Sequence, residues 1–136
     1  MSTDGGQSWS APIRIDQSPG AAPAFVPQIH VAANGTIGVV YYDLENATAA
    51  SPGLTDTFVV HCQSLCAAPA SWASGGETKV STTGSFDFTT APDAGGYFVG
   101  DYDGLTSTGS TFDPFFGMAK PIATTGRTDI FANTAG

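Results

Sequence analysis

The sequence predicts an all-β fold. Three observations carry that expectation. Glycine and proline, 17 and 9 of the 136 residues, cut the chain into short pieces, which suits brief strands joined by turns. No segment keeps a helical apolar period over three turns. Asn34-Gly35 stands between two apolar runs, and Asn-Gly is a strong hairpin signal.

The elements follow in order along the chain. Trp9 to Ile15 reads as a short strand after a glycine turn. Ser18 to Ala24 is small and proline-containing, hence a loop. Phe25 to Val31 begins a strand pair. Ala33-Asn34-Gly35-Thr36 joins it to Ile37–Tyr42, with Asn-Gly in the two positive-φ positions of a type I′ turn. Asp43 to Gly53 is a polar loop. Thr57 to Cys62 is the third strand, and Thr78 to Ser81 a short fourth. The pattern then restarts. Thr82 to Gly95 is a loop, and Gly96 to Tyr102 reads as a buried strand. Thr106 to Ser110 turns, Phe112 to Ala119 returns, and Arg127 to Phe131 closes the chain. A local echo accompanies this restart: Thr55-Asp56-Thr57-Phe58 resembles Thr128-Asp129-Ile130-Phe131, 73 residues on.

Composition narrows the function classes. The length is that of one domain, enough to bury a core without metals. Acidic side chains number 12 and basic ones 4, a net charge of -8. That argues against nucleic acid, whose phosphates need clustered Lys and Arg. It equally disfavours anionic membrane surfaces. No apolar run is long enough to span a bilayer. Met1–Gly6 has neither the basic start nor the apolar stretch of a signal peptide.

One motif points to a family. Ser2-Thr3-Asp4-Gly5-Gly6-Gln7-Ser8-Trp9 fits Ser-x-Asp-x-Gly-x-Ser/Thr-Trp at every fixed position. It resembles the Asp-box, or BNR repeat, of the sialidase-like β-propellers. Its physics is that of a staple: Asp4 accepts backbone N–H bonds in the turn, Gly6 permits the turn, Ser2 and Ser8 are its small polar positions, and Trp9 packs over it. Two looser stretches are similar to blade strands of such propellers, Phe98–Leu105 and Val39–Asp43. A second Asp-box is expected between Ser64 and Gly76, and it is absent.

The resemblance implies a sialidase-type six-bladed ring of four-stranded antiparallel blades. This chain holds material for about two of them, as one segment, residues 1–136. Residues 1–15 form the Asp-box and an outer strand, 25–81 one full blade, and 96–131 three strands of the next. Three accounts stand open: a piece of a longer reading frame, a trimer of copies completing a ring, or a different compact β fold.

The resemblance also sorts the polar residues. It places Asp43, Glu45, Asp56, Asp87, Asp93 and Arg127 on the rim that carries the family's active site. Asp43, Glu45 and Arg127 are the catalytic candidates. Sialidases clamp the substrate carboxylate with three arginines, whose planar forks bind it bidentately. They attack with a Tyr activated by Glu. This chain has two arginines, Arg14 and Arg127. Tyr41, Tyr42 and Glu45 are near one another in sequence but make no assignable pair, since neighbours on a strand face opposite sides. Asp101 and Asp103, two apart on one strand face, are candidate ligands for a hard cation; they are too few for an EF-hand loop, a turn or backbone-capping role is the alternative, and no cofactor is expected.

Cys62 and Cys66 are spaced to allow a tight disulfide, which would suit an oxidising compartment. His30 and His61 read as half-buried strand residues. Asn34-Gly35-Thr36 and Asn46-Ala47-Thr48 are formal glycosylation sequons. The expectation is therefore a segment of a secreted sialidase-like glycoside hydrolase, not competent alone. The alternative is a non-catalytic segment binding glycan or protein through its rim loops.

Overall fold

The computed structural model describes residues 1–120 and 127–136. Among the described residues, eight strands, one short α-helix and one 3-10 turn follow in the order β1 (Ala24–Val31), β2 (Ile37–Asp43), β3 (Leu54–Cys62), α1 (Pro69–Gly75), β4 (Glu77–Lys79), β5 (Phe86–Asp87), the 3-10 turn (Phe88–Thr90), β6 (Gly104–Thr108), β7 (Thr111–Ala119) and β8 (Thr128–Ala132). They form two antiparallel sheets, neither closed. The first runs β1-β2-β3-β4, with β5 paired to the start of β3. The second runs β6-β7-β8. The fold is all-β.

Strand alternation explains how the sheets stack. Val40 and Tyr42 of β2 and Val59 of β3 share a core with Phe112, Phe116 and Met118 of β7. This inner face buries the Phe112 ring, contributing roughly 2–3 kcal/mol. That ring fills the space above Gly38, where any added Cβ would lie 2.4 Å from it. The other face of the first sheet carries Val39, Tyr41, Phe58, Val60 and Cys62, covered by Trp72 of α1 and by Ile13 and Ile15. Because β2 and β3 are buried on both faces, they read as nearly unbroken apolar runs.

Several local expectations need correction. Thr106–Ser110 is not a turn throughout: Gly104–Thr108 is strand β6, and only Gly109 and Ser110 turn. The β1–β2 turn is not type I′: Gly35 has φ +84° and Asn34 has no positive φ. Asn34 Oδ1 accepts the Thr36 N–H at 3.0 Å, and Gly35 N donates to Ala32 O at 2.8 Å. This is a type I turn followed by a left-handed glycine, the three-residue hairpin solution. Trp9–Ile15 forms no strand. It joins no ladder, and Pro12 has no N–H to offer one; its isoleucines pack instead on the first sheet's outer face. Gly96–Tyr102 is an exposed loop, not a buried strand. Positive φ at Gly96 and Gly100 interrupts the extended backbone, and Tyr102 is 87% exposed. The short fourth strand is Glu77–Lys79, starting one residue earlier and ending two earlier than the Thr78–Ser81 expectation.

The sequence echo falls on equivalent strands. Thr55–Phe58 lies in β3 and Thr128–Phe131 in β8, each third in its meander. Their surroundings differ: Asp56 is buried and Asp129 exposed.

Candidate functional site

The N-terminal motif folds into a self-contained turn. The Asp4 carboxylate accepts from Ser8 N at 3.0 Å, Ser8 Oγ at 2.5 Å and Ser2 Oγ at 2.8 Å. Ser2 Oγ in turn accepts from Gly6 N at 2.8 Å. Hydrogen bonds from Ser8 and Ser2 hold Asp4 well below the ordinary carboxylate range. Ser10 N closes the loop on Met1 O at 2.9 Å. Trp9 donates to Gly6 O at 3.2 Å, yet it is 73% exposed. It lies beside its own turn and shields no hairpin, because no strand pair flanks the motif.

The polar groups gather at one end of the first sheet's outer face. Register puts Asp43 opposite Asp56, Tyr41 opposite Phe58, and Phe58 opposite Lys79. Glu77 sits two residues from Lys79 on the same face. Asp43 and Asp56 are both fully buried. Asp43 accepts from the Ser18 hydroxyl and the Glu45 N–H. Asp56 accepts from Lys79 Nζ at 2.6 Å, Asn46 Nδ2 at 2.8 Å and Ser81 Oγ at 3.0 Å. Burial pushes the Asp56 carboxyl up, but these bonds outweigh it and hold it below its ordinary value.

Glu45 is the chemically different member. It is only partly buried, and its nearest side-chain donor is Asn46 Nδ2 at 3.4 Å. Burial, and then the charges of Glu77, Asp43 and Asp56, raise its pKa. A carboxyl so placed holds its proton longer than an ordinary glutamate, as a proton donor must.

Tyr41 and Glu77 form the hydrogen-bonded pair that sequence proximity did not show. The Tyr41 hydroxyl donates to Glu77 Oε1, which also accepts the Gln17 N–H at 3.1 Å. The residues are 36 apart; only the alternation of β4, which turns Glu77 and Lys79 to one face, could have signalled the contact. Tyr41 is 3% exposed. Burial and the Glu77 charge raise its pKa, so its hydroxyl keeps its proton. The pair is built to hold the sheet together, not to attack a substrate.

The remaining candidates are dispersed. Arg127 is exposed at the start of β8, and its carbonyl accepts Lys120 N at 2.7 Å. No hydrogen bond or ion pair among the described residues joins it to Asp43 or Glu45. The rim loop between Lys120 and Arg127 otherwise lies outside the described residues. Arg14 binds Asp16 and the carbonyls of Gly20 and Ser18. Asp87 accepts Thr89 N at 2.9 Å, and Asp93 accepts Gly95 N and Gly96 N at 3.0 Å; both are turn caps. Asp101 is exposed, while Asp103 turns inward to Tyr42 at 2.9 Å. Two such directions do not share a cation. Among the described residues no three His, Cys, Asp or Glu side chains converge as metal ligands.

At the opposite end of the first sheet, a polar cleft of about 750 Å³ is lined by Asn34, Thr36, His61, Ser64, Ser71 and Ser110. Beside it, Cys62 and Cys66 are joined by a disulfide with Cα atoms 5.8 Å apart. Comparison with protein-family models, with curated proteins and with solved structures found no match to this chain.

Proposed function

We propose that the chain forms two consecutive blades of a sialidase-like β-propeller within a secreted glycoside hydrolase. The observation behind this reading is the succession of two antiparallel meanders stacked face to face, together with an Asp-box turn whose Asp4 closes it as the motif requires. The blades contribute a carboxylate-lined rim, with Glu45 its accessible acid, to a glycan site. They do not cleave a glycan by themselves. The arginine clamp is missing: Arg14 is spent on Asp16 and two carbonyls, and Arg127 stands on the other sheet. The buried Tyr41–Glu77 pair supplies no nucleophile. The same absence favours a second reading, in which the segment binds glycan or protein and takes no part in cleavage.

Two assays test this. The chain is incubated with a fluorogenic sialoside, and release above the uncatalysed background is not expected. Saturation-transfer NMR with sialyllactose is then run on the wild type and on Glu45→Gln. Transfer to the glycan that weakens in the variant supports the rim site. Turnover by the isolated chain would contradict the proposed division of labour. Absence of any glycan contact would remove glycan from the reading and leave protein as the partner.

A further inference from the structure

A hydroxyl between the two sheets has more acceptors than protons. The β6–β7 ladder ends at Gly104 opposite Phe115. Two residues further along β7, the backbone of Gly117 faces Tyr42 of the first sheet. Gly117 N donates to Tyr42 Oη at 2.9 Å, and Gly117 O lies 2.7 Å from the same oxygen. Asp103 Oδ1, one residue before β6, lies 2.9 Å from it. All three residues are buried. A phenol carries one proton. With Asp103 ionised, that proton serves either Gly117 O or Asp103, and one buried acceptor goes without. Asp103 Oδ2 is buried and has no partner at all. An unpaired buried carboxylate oxygen is among the more destabilising features a fold can carry.

A neutral Asp103 resolves the count. Its O–H donates to Tyr42 Oη, Tyr42 donates to Gly117 O, and Gly117 N–H donates to Tyr42 Oη. The phenol oxygen then gives one bond and takes two, its full complement. We propose that Asp103 is a proton-operated latch between the sheets: protonated, it fastens the second sheet to the first through Tyr42 and Gly117, and ionised, it loosens them.

The surroundings favour the neutral form. From β2 the group facing Asp103 is Tyr42; from β7 it is the Gly117 backbone, which carries no charge. On its own segment Asp101 and Tyr102 are exposed. No ion pair among the described residues includes Asp103. Burial pushes its carboxyl up from 3.8 to about 6, against the opposing hydrogen bond from Tyr42. The approach also depends on glycine: a Cβ at position 117 would lie 2.9 Å from Val99 O and 3.7 Å from Tyr42 Oη.

The sign follows from proton counts. Between about pH 4 and 6 the folded chain binds a proton at Asp103 that the unfolded chain has released. Stability from this group is therefore greatest at low pH and is lost as pH rises through about 6.

The test compares thermal unfolding of the wild type and Asp103→Asn from pH 4.5 to 7.5. It adds a ¹³C NMR titration of the wild-type Asp103 carboxyl. The variant's amide donates to Tyr42 at every pH. Relative to that variant, the wild-type Tm is expected to drop by about 5 °C between pH 5 and 7.5. Both chains keep every other titratable group, so the difference isolates Asp103. The carboxyl midpoint is expected near 6. Parallel pH profiles, or a midpoint at or below 4, would overturn the latch. Should the variant fail to fold, amide exchange at Gly117 in the wild type decides. Protection corrected for intrinsic rate is greater at pH 5 than at pH 7 if the latch exists, and equal if it does not.

Discussion

Asp56 shows how a carboxylate with no solvent exposure stays charged. Its desolvation is offset by one ammonium, one amide and one hydroxyl, supplied from β4, the Asn46 loop and Ser81. Asp56→Ala leaves Ser81 Oγ without its acceptor, removes the shorter of the two Asn46 Nδ2 bonds, and leaves Lys79, which is 38% exposed, with Ser85 Oγ and water. The expected loss is about 2 kcal/mol, read as a lower urea midpoint with an unchanged slope. The pH dependence runs opposite to that of Asp103. A carboxyl whose folded pKa is depressed gives stability above its unfolded value of 3.8. That stability is lost as pH falls through the folded value. Wild-type stability should therefore fall below about pH 4, and Asp56→Asn should flatten that fall. A variant with the same acid limb as the wild type would show that Asp56 is not the group responsible. The sequence marked Asp43 and Glu45 as a loop's acids, because both sit in a polar stretch. Their burial depends on Ser18, Asp56 and Glu77, all distant in sequence, and no local pattern encodes those meetings.

At the scale of elements, legibility followed periodicity. β2 and β3 were readable because a strand buried on both faces is a run of apolar residues, and β7 because Phe112, Phe116 and Met118 recur at even spacing on its inner face. Trp9–Ile15 and Gly96–Tyr102 misled because their composition is strand-like while their ladders have no partner. The helix Pro69–Gly75 was hidden by its two turns' length, too short for a period to show. It stands where a second Asp-box was expected, with the Cys62–Cys66 disulfide at its approach. Trp72 reaches back from the helix to donate to Cys66 O at 2.9 Å. The disulfide thus anchors the ledge on which Trp72 covers the first sheet's outer face. Replacing both cysteines by serine restores the loop's freedom in the unfolded chain. The expected cost is about 2 kcal/mol on the loop-closure estimate. The measurement is Trp72 fluorescence across a urea series, with a red-shifted native spectrum and a lower midpoint. An unchanged midpoint would mean that the packing of Trp72, and not the covalent bond, holds the segment.

For the whole molecule the question is what meets the faces left open. The first sheet's inner face is filled by the second sheet, but the second sheet's far face is not filled in turn. Phe115 and Ile130 lie on that face, because Phe115 pairs with Ala132 and Gly117 with Ile130. They are 47% and 76% exposed. At the other extremity Ile29 of β1 is 61% exposed on the first sheet's outer face. The two surfaces face opposite ways along the stacking direction, so their contact between copies is head to tail, and such contacts either close into a ring or run on as a filament. If copies of this chain alone complete the proposed six-bladed ring, three of them are required. Light scattering after size exclusion is then expected to give three times the 13.8 kDa of one chain. Ile130→Lys should reduce that mass to a single chain's, by placing a charge on the contact face while leaving the inner core untouched. A wild-type monomer would remove the ring of copies, and it would leave the two stacked sheets stable on the Tyr42–Gly117 dock and the Phe112 core alone. Growth without limit at rising concentration would show that the stacking angle fails to close.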